Sequence, residues 1–268
     1  MTPDRGKGFA LLIVLWSLVL IGLLTTQILA SGRTAMLLAR NIREAAQARA
    51  AADGAIQEAI FHLLLTGGDH WAADGSVHVL DDGGTPIAIR ADSLAGTINP
   101  NLASTALLAG LFQAAGAGPG QAHRIADAII AWRSPPLDDN QEKAELAAYR
   151  RLGLPYGPPG HDFADLSELA DIAGMPPALL ANAMPYLSLY QTGDPDPAKA
   201  VPKVRQALAL SGQSGADGGA YTGVAPVVAI QAVAGVKGKF AVRRVAIVSL
   251  IGQNGPSPFQ ILAVTDAY

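Results

Sequence analysis

The chain has 268 residues, which is enough for a membrane helix and one large or two small domains. Half of its residues are hydrophobic, 15% are charged, and the formal net charge is −3. This acidic balance argues against nucleic acid as the main partner. The chain has no cysteine, so disulfides give no information about its compartment.

The chain opens MTPDRGKGFALLIVLW and has no charged residue from Gly8 to Gly32. Because about 20 apolar helical residues cross the hydrocarbon core of a bilayer, we predict a transmembrane helix at 9–32. Three interpretations remain open. The run is a secretory signal peptide cut near Ala30, or an uncleaved anchor, or a helix retained after a leader, 1–8, is cut between Gly8 and Phe9.

The helix is predicted to continue beyond the apolar run. Small and apolar residues recur at three- and four-residue spacing as far as Thr66-Gly67-Gly68, which ends the pattern. These residues are Leu38, Ile42, Ala45, Ala52, Ile56, Ala59 and Leu63. We therefore predict one helix of about 55 residues, whose first half lies in lipid and whose second half packs on a globular domain.

Strand patterns occur in two separate groups. A hairpin is predicted at 77–92 around the turn DDGG, and three further strands at 224–234, 240–250 and 258–265. A helical block lies between the groups. The fold class is therefore α+β: a long N-terminal hydrophobic helix packed on an antiparallel sheet, with a large α-helical insertion.

Two segments of the insertion share a pattern of apolar helix, tight glycine-containing hairpin and second apolar helix. They are 98–132 and 163–187, and each resembles a helix-hairpin-helix unit. In versions that bind DNA, hairpin amides and basic side chains contact phosphates. The first unit offers only His123 and Arg124, and the second has no Lys or Arg, so packing is the favoured role.

The leader, the insertion and one apolar position together resemble a known family. The Gly8/Phe9 boundary is similar to the class III leader of type IV pilins and type II secretion pseudopilins. If Phe9 is the first mature residue, the fifth is Ile13, where most pilins have glutamate. Lack of this glutamate is typical of K-type minor pseudopilins. AIIAWR at 128–133 and the segments 144–163 and 185–200 resemble the same family in the same order.

The resemblance implies a domain organisation. We expect a leader at 1–8, a transmembrane helix at 9–32, and a helix stalk with the first strands at 33–98. An inserted α-helical domain follows at 99–192, and a linker helix with the C-terminal strands of the pseudopilin-like domain at 193–268.

The resemblance also implies a function. The chain would be a non-enzymatic tip subunit of the type II secretion pseudopilus, helping to initiate its assembly and protein export across the outer membrane. A prepilin peptidase would cut at Gly8/Phe9, Phe9 would be N-methylated, and I-type and J-type minor pseudopilins would be its partners. The protein would cross the inner membrane once, with its body in the periplasm. Charge alone points the body into the cytoplasm, because Arg33, Arg40, Arg43 and Arg49 follow the span.

Calcium is a further implication of the resemblance, since K-type pseudopilins hold it in the helical domain near acidic residues that follow a tryptophan. After Trp132 this chain has Asp138, Asp139, Glu142 and Glu145, which are candidate ligands. A solvated acidic loop explains the same four residues. The positions directly after the tryptophan, usually acidic in the family, include Ser134, Pro135 and Leu137.

No catalytic motif stands out, and we predict no enzyme activity. His62, His70 and His78 recur every eight residues, which matches no zinc pattern, and we interpret the spacing as coincidence. Two alternative functions remain: a membrane-anchored helix-hairpin-helix receptor for DNA, and a minor pilin of a type IV pilus.

Overall fold

A computed structural model describes residues 6–82, 85–212, 226–236, 240–251 and 257–267. Of the predicted turns, Gly83-Gly84, 237–239 and 252–256 lie outside these residues, as do residues 1–5 of the predicted leader. The six α-helices and five strands of the described residues follow in chain order. They are α1 (Gly6–Leu64), β1 (Asp74–Asp82), β2 (Thr85–Ser93), α2 (Thr105–Ala114), α3 (Pro119–Arg133), α4 (Asp139–Arg151), α5 (Pro177–Ala183), α6 (Pro202–Leu210), β3 (Val227–Val236), β4 (Phe240–Leu250) and β5 (Phe259–Ala267).

The five strands form one antiparallel sheet in the order β1-β2-β3-β4-β5. Strands β2 and β3 are neighbours in this sheet, with Ile89 opposite Ala232, although the whole helical block separates them in sequence. The predicted α+β class, with helices inserted between two antiparallel strand groups, is therefore confirmed.

Helix α1 packs on one face of the sheet along its second half. Its buried residues are Ala48, Ala52, Ala55, Ile56, Ala59, Ile60 and Leu63. They contact sheet residues such as Ile89, Ile230 and Val248 in one core cluster. The predicted packing stripe was wrong at its start, because Leu38 and Ile42 are 59% and 61% exposed. Among the described side chains of α1, the first buried one is Ala48.

The apolar first part of α1 was predicted to cross a membrane. Across the described parts of the chain, no helix is both long and apolar enough to span a bilayer. The transmembrane helix at 9–32 stays a prediction.

The inserted helices have a hydrophobic core of their own, centred on Leu107, Leu108, Phe112, Ile129 and Trp132. Helix α6 contributes Val204, Ala207 and Leu208 to this core, and the segment before α6 contributes Ala200. The sequence grouped this helix with the C-terminal strands, whereas its contacts are with α2. Glycine at position 110 allows the close approach, since an added Cβ would collide with the carbonyl oxygen of Ala207.

The two predicted hairpin units differ in the structure. In the first, α2 and α3 flank Gly116, whose φ of 114° suits glycine. In the second, the arm before Gly174 is a 3-10 helix, Leu166–Asp171, and not the predicted α-helix. A capping box at Asp165 and Glu168 starts this short element.

Candidate functional site

The residues predicted for processing lie on α1. Gly8, Phe9 and Ile13 are all within its bounds. The side chains of Phe9 and Ile13 are 70% and 52% exposed, and the neighbouring Trp16 is 69% exposed. These exposures do not test peptidase cleavage or methylation. Cleavage at Gly8/Phe9 and methylation of Phe9 therefore stay predictions.

The exposed part of α1 extends further than the apolar run. Met36 and Leu37 are 78% and 62% exposed. Exposed apolar side chains on one helix are typical of a surface that other helices or lipid cover.

A network of ion pairs fixes α1 to the far strands of the sheet. Arg244 on β4 donates to Asp53 on α1 at 2.8 Å and to Asp266 on β5 at 2.6 Å. Asp266 also pairs with Arg49 on α1. The Arg244 side chain is only 15% exposed, and both of its carboxylate partners offset the cost of burying its charge. These pairs set the direction in which α1 leaves the sheet.

A clamp of hydrogen bonds closes the base of the helical insertion. The backbone of Ile98 pairs with that of Tyr186 and Ser188, at 2.9 and 3.0 Å. Asn99 is 5% exposed and its amide donates to the carbonyl oxygens of Leu189 and Gln191, at 3.0 and 2.7 Å. The chain segments around Ile98 and Ser188 are therefore tied together at the base of the helical domain.

An aromatic cluster fills the part of the insertion next to α4. Trp132 lies 6.3 Å from both Tyr149 and Phe163, and 6.4 Å from Tyr156, between ring centroids. Burial raises the pKa of the Tyr149 hydroxyl, which accepts a hydrogen bond from the Ala173 N–H at 3.3 Å. The cluster packs the helical domain. Apart from the apolar periodicity, no sequence motif predicted it.

Arg133, directly after the tryptophan, is also a packing residue. Its guanidinium donates to the carbonyl oxygens of Pro100 and Ala103, the latter at 2.9 Å. Burial lowers the pKa of Arg133, and the negative charge of Asp162 opposes this effect. The side chain joins the end of α3 to the loop before α2.

The four candidate calcium ligands lie at the start of α4 and on it, where the sequence was compatible with a loop. Asp138 is the N-cap of this helix, and its Oδ1 accepts from the N–H groups of Asn140 and Gln141 at 2.9 and 2.8 Å. Glu145 accepts from the Gln141 amide at 2.8 Å. Asp139 and Glu142 are in the first turn, where their negative charges interact favourably with the helix dipole.

As arranged, these carboxylates do not fit a calcium site. Calcium takes six to eight oxygen ligands. Within the described ranges no group of three or more His, Asp or Glu side chains is placed to hold a metal ion. The described geometry gives Asp138 a capping role, and calcium binding stays a prediction that depends on rearrangement of this turn.

The hairpin of the first unit offers few groups that could contact a phosphate. The N-cap of α3 is Gly118, which makes no side-chain capping bond, and His123 and Arg124 are exposed one turn further on. The second hairpin has no Lys or Arg between Arg151 and Lys199. A single pair of basic residues gives little phosphate affinity, because nucleic-acid binding depends on many such contacts.

The architecture combines a long helix that packs on an antiparallel sheet with a helical domain inserted between two neighbouring strands. Residues 88–192 match the family model described as type II secretion system (T2SS), protein K. The match covers 105 of the 268 residues, and it confirms the predicted resemblance to K-type minor pseudopilins.

A solved structure has the same fold. It is a chain in the crystal structure of the GspK-GspI-GspJ complex from the enterotoxigenic Escherichia coli type 2 secretion system. The TM-score is 0.59 and the sequence identity 16%, over 85% of this chain and 99% of that chain. At this identity the likeness concerns the fold. No curated protein sequence significantly matches the chain.

Proposed function

We propose that the chain is a non-enzymatic minor pseudopilin at the tip of a type II secretion pseudopilus, where it helps to initiate assembly and protein export. The observation that carries this proposal is the match of residues 88–192 to the protein K family model, a range that includes most of β2 and most of the helical insertion between β2 and β3. Such a bulky insertion is difficult to repeat along a filament. At the tip, no further subunit has to stack above it.

Its partners in this proposal are an I-type and a J-type minor pseudopilin. The support is the fold shared with a chain of the GspK-GspI-GspJ complex, together with the exposed apolar side chains of α1. A prepilin peptidase removes 1–8, Phe9 is N-methylated, and the apolar helix anchors the protein once in the inner membrane. The clamped helical domain then lies with the sheet in the periplasm.

Ile13 provides a direct test. In most pilins, a glutamate at this position pairs with the amino terminus of the subunit ahead in the filament. A tip subunit has no subunit ahead of it. In Ile13→Glu, a carboxylate near the start of the span would be left without a partner, which costs on the order of 2–3 kcal/mol in a bilayer. We expect weaker recovery of the complex with the I-type and J-type subunits from membranes, whereas the matched control Ile13→Leu behaves as the native chain.

A second test measures the intact mass of the protein after it is produced in a host that contains a prepilin peptidase and recovered from the membranes. A chain that starts at methylated Phe9 supports the pilin-like route. A chain that starts at Met1 or after Ala30 would overturn it. Replacing residues 9–65 by an unrelated membrane helix is expected to abolish the tip complex, and unchanged assembly would count against the tip role.

A further inference from the structure

Strand β1 forms one edge of the sheet. Among the described residues it pairs on one side only, with β2, and the register brings Val77 opposite Arg90 and Val79 opposite Ala88. In an antiparallel sheet, every second residue of an edge strand directs its N–H and C=O groups away from the neighbouring strand. The outer side of β1 therefore has backbone groups that can pair with an additional strand.

The inner face of β1, towards α1, is fixed by a stack of three rings. Trp71 lies between His62 on α1 and His78 on β1, with centroid distances of 4.4 and 3.9 Å and interplanar angles of 5° and 4°. Two of the three histidines that recur every eight residues thus meet here. Leu80, on the same face as His78, packs against the core between α1 and the sheet. Because β1 is already held in an extended form, little conformational entropy is lost when another strand pairs with it.

The opposite face of β1 is apolar and open at its centre. Val77 and Val79 are 62% and 67% exposed. Their neighbours on β2 are the half-buried Ala88 and the exposed Arg90, whose guanidinium donates to both carboxylate oxygens of Asp92 at 2.7 Å. Exposed β-branched side chains form the cross-strand contacts that stabilise an added strand. The two valines therefore favour apolar side chains at alternate positions of a partner strand.

Two carboxylates flank these valines on the same face. The β2 residues opposite Asp74, Val77, Val79 and Asp81 are spaced by two, so the four side chains share one face of β1. The bulge between Asp74 and Val77 makes this possible, because it absorbs one residue of β1. Asp74 and Asp81 are both exposed. The outer face therefore has the order acidic, apolar, apolar, acidic at alternate strand positions.

The surrounding chain adds to this negative charge. No Lys or Arg occurs from 50 to 89, whereas six carboxylates do. They are Asp53, Glu58, Asp69, Asp74, Asp81 and Asp82. Arg244 engages one of them, Asp53. Carboxylates on an edge strand hinder pairing with another acidic strand and attract a positively charged one.

We propose that β1 binds an extended, basic segment of a partner protein as an added strand of the sheet. The segment has apolar side chains at alternate positions, which contact Val77 and Val79. Lys or Arg on either side of them pairs with Asp74 and Asp81. A second copy of this chain is a poorer occupant, because two β1 strands would bring like charges together. This binding does not depend on the proposed tip role, because it uses neither the leader nor the exposed part of α1.

The other edge of the sheet provides a matched control. Val264 on β5 is 43% exposed. Asp266, the one carboxylate in the sequence of β5, already pairs with Arg49 on α1 and Arg244 on β4. Strand β5 is therefore an apolar edge whose negative charge is balanced, and a basic strand should prefer β1.

A fluorescent peptide, Lys-Thr-Val-Thr-Val-Thr-Lys, tests the proposal with the full-length chain in detergent micelles, and anisotropy measures binding. We expect it to bind about tenfold more tightly than the same peptide with Glu at both ends, the scale of two cross-strand charge pairs. Methylation of alternate backbone nitrogens keeps the side chains but removes N–H donors, so it should abolish binding. Hydrogen exchange of the chain should show that the bound peptide protects amides of β1.

Variants of the chain locate the peptide. Val77→Lys adds a positive charge at an exposed position and should weaken binding by a similar factor, whereas Val264→Lys adds the same charge to β5 and should leave binding unchanged. The double variant Asp74→Asn/Asp81→Asn should remove the preference for Lys over Glu at the peptide ends. If thermal melting shows that Val77→Lys does not fold, this charge preference decides.

Three results would overturn the proposal. They are no binding of the basic peptide, equal binding of its backbone-methylated form, and loss of binding in Val264→Lys but not in Val77→Lys. Sedimentation of the chain alone tests the other occupant. Self-association that Val77→Lys abolishes would assign the edge to a second copy of the chain and would also overturn the basic partner.

Discussion

Asp138 caps α4 through two backbone N–H groups. Replacing it by alanine removes both hydrogen bonds, and we expect the free energy of unfolding to fall by about 1 kcal/mol. Asparagine caps a helix as well as aspartate does, so Asp138→Asn should change stability by only a few tenths of this amount. Denaturant unfolding in the presence of EDTA measures both variants, and an equal loss in both would contradict the capping role.

The same pair of variants tests calcium binding. If the turn rearranges so that Asp138 becomes a ligand, calcium raises the melting temperature of the native chain. Asp138→Asn keeps the helix cap but replaces a charged ligand oxygen by a neutral one, so the rise should be smaller. Absence of any calcium-dependent shift in the native chain, together with no calcium in the purified protein, would remove the calcium prediction.

Asp165 makes the stability of the helical insertion depend on pH. The pKa of its carboxyl group is lowered, mainly because it accepts hydrogen bonds from the hydroxyl and the backbone N–H of Ser167. A carboxyl group with a lowered pKa stabilises the fold above its unfolded pKa, and this contribution is lost as the pH falls through the lowered value. Asp165→Ala should therefore be less stable than the native chain at pH 7.

At acidic pH this difference should shrink, because the native carboxyl group is then protonated as well. Chemical unfolding at several pH values between 7 and 2.5 measures it. A stability difference that stays constant over this range would mean that Asp165 acts through its shape and neutral contacts alone.

At the scale of the elements, two helical glycines should respond to the same substitution with opposite signs. A Cβ at Gly110 meets the backbone of Ala207, so Gly110→Ala should force α2 and α6 apart and cost about 1–3 kcal/mol. Gly54 lies on the exposed side of α1 with nothing within 4 Å of an added Cβ. Gly54→Ala should stabilise the helix by about 0.5–1 kcal/mol. Thermal melting of both variants would show this opposition, and equal shifts would contradict it.

The elements that sequence predicted well are those whose evidence is local. Alternation located β1 to β5, and the periodicity of small residues located the packed half of α1. Leu38 and Ile42 keep that periodicity although no sheet lies beneath them, because a periodic pattern does not show where the partner surface ends. The 3-10 helix before Gly174 was not predicted, because the capping signal at its start is common to α-helices and 3-10 helices.

Contacts between distant residues were beyond what the sequence could predict. The approach of Gly110 to Ala207, the pairing of Arg244 with Asp53 and the stacking of His62 on His78 through Trp71 all depend on tertiary structure. The candidate processing site at Gly8/Phe9 stays a prediction, and it rests on a local signal, the sharp boundary between polar and apolar residues. The helix-capping role of Asp138 was not predicted, because an acidic residue before a helix and an acidic metal ligand look alike in sequence.

At the scale of the whole molecule, the described residues form two hydrophobic cores that share no buried residue. One joins α1 to the sheet, and the other lies within the helical insertion. The clamp at Ile98 and Asn99 closes the insertion at its base. A domain with its own core and closed ends meets the physical requirements for folding alone.

We therefore predict that a fragment spanning 94–212 folds cooperatively without the rest of the chain. A shorter fragment, 94–192, ends where the protein K family match ends and lacks α6. It loses the buried Val204, Ala207 and Leu208, and it exposes the face of α2 around Gly110. Each lost side chain removes about 1–3 kcal/mol of burial, so we expect the short fragment to melt without cooperativity or not to fold.

Circular dichroism during thermal unfolding distinguishes the two fragments, and binding of a hydrophobic dye reports the exposed face of α2. A cooperative transition in both, at the same temperature, would show that α6 is dispensable and that the domain ends with the family match. A transition in neither would show that the insertion needs the sheet. The expected result, cooperative folding of the longer fragment alone, makes α6 the closing element of the helical domain and not a linker to the C-terminal strands.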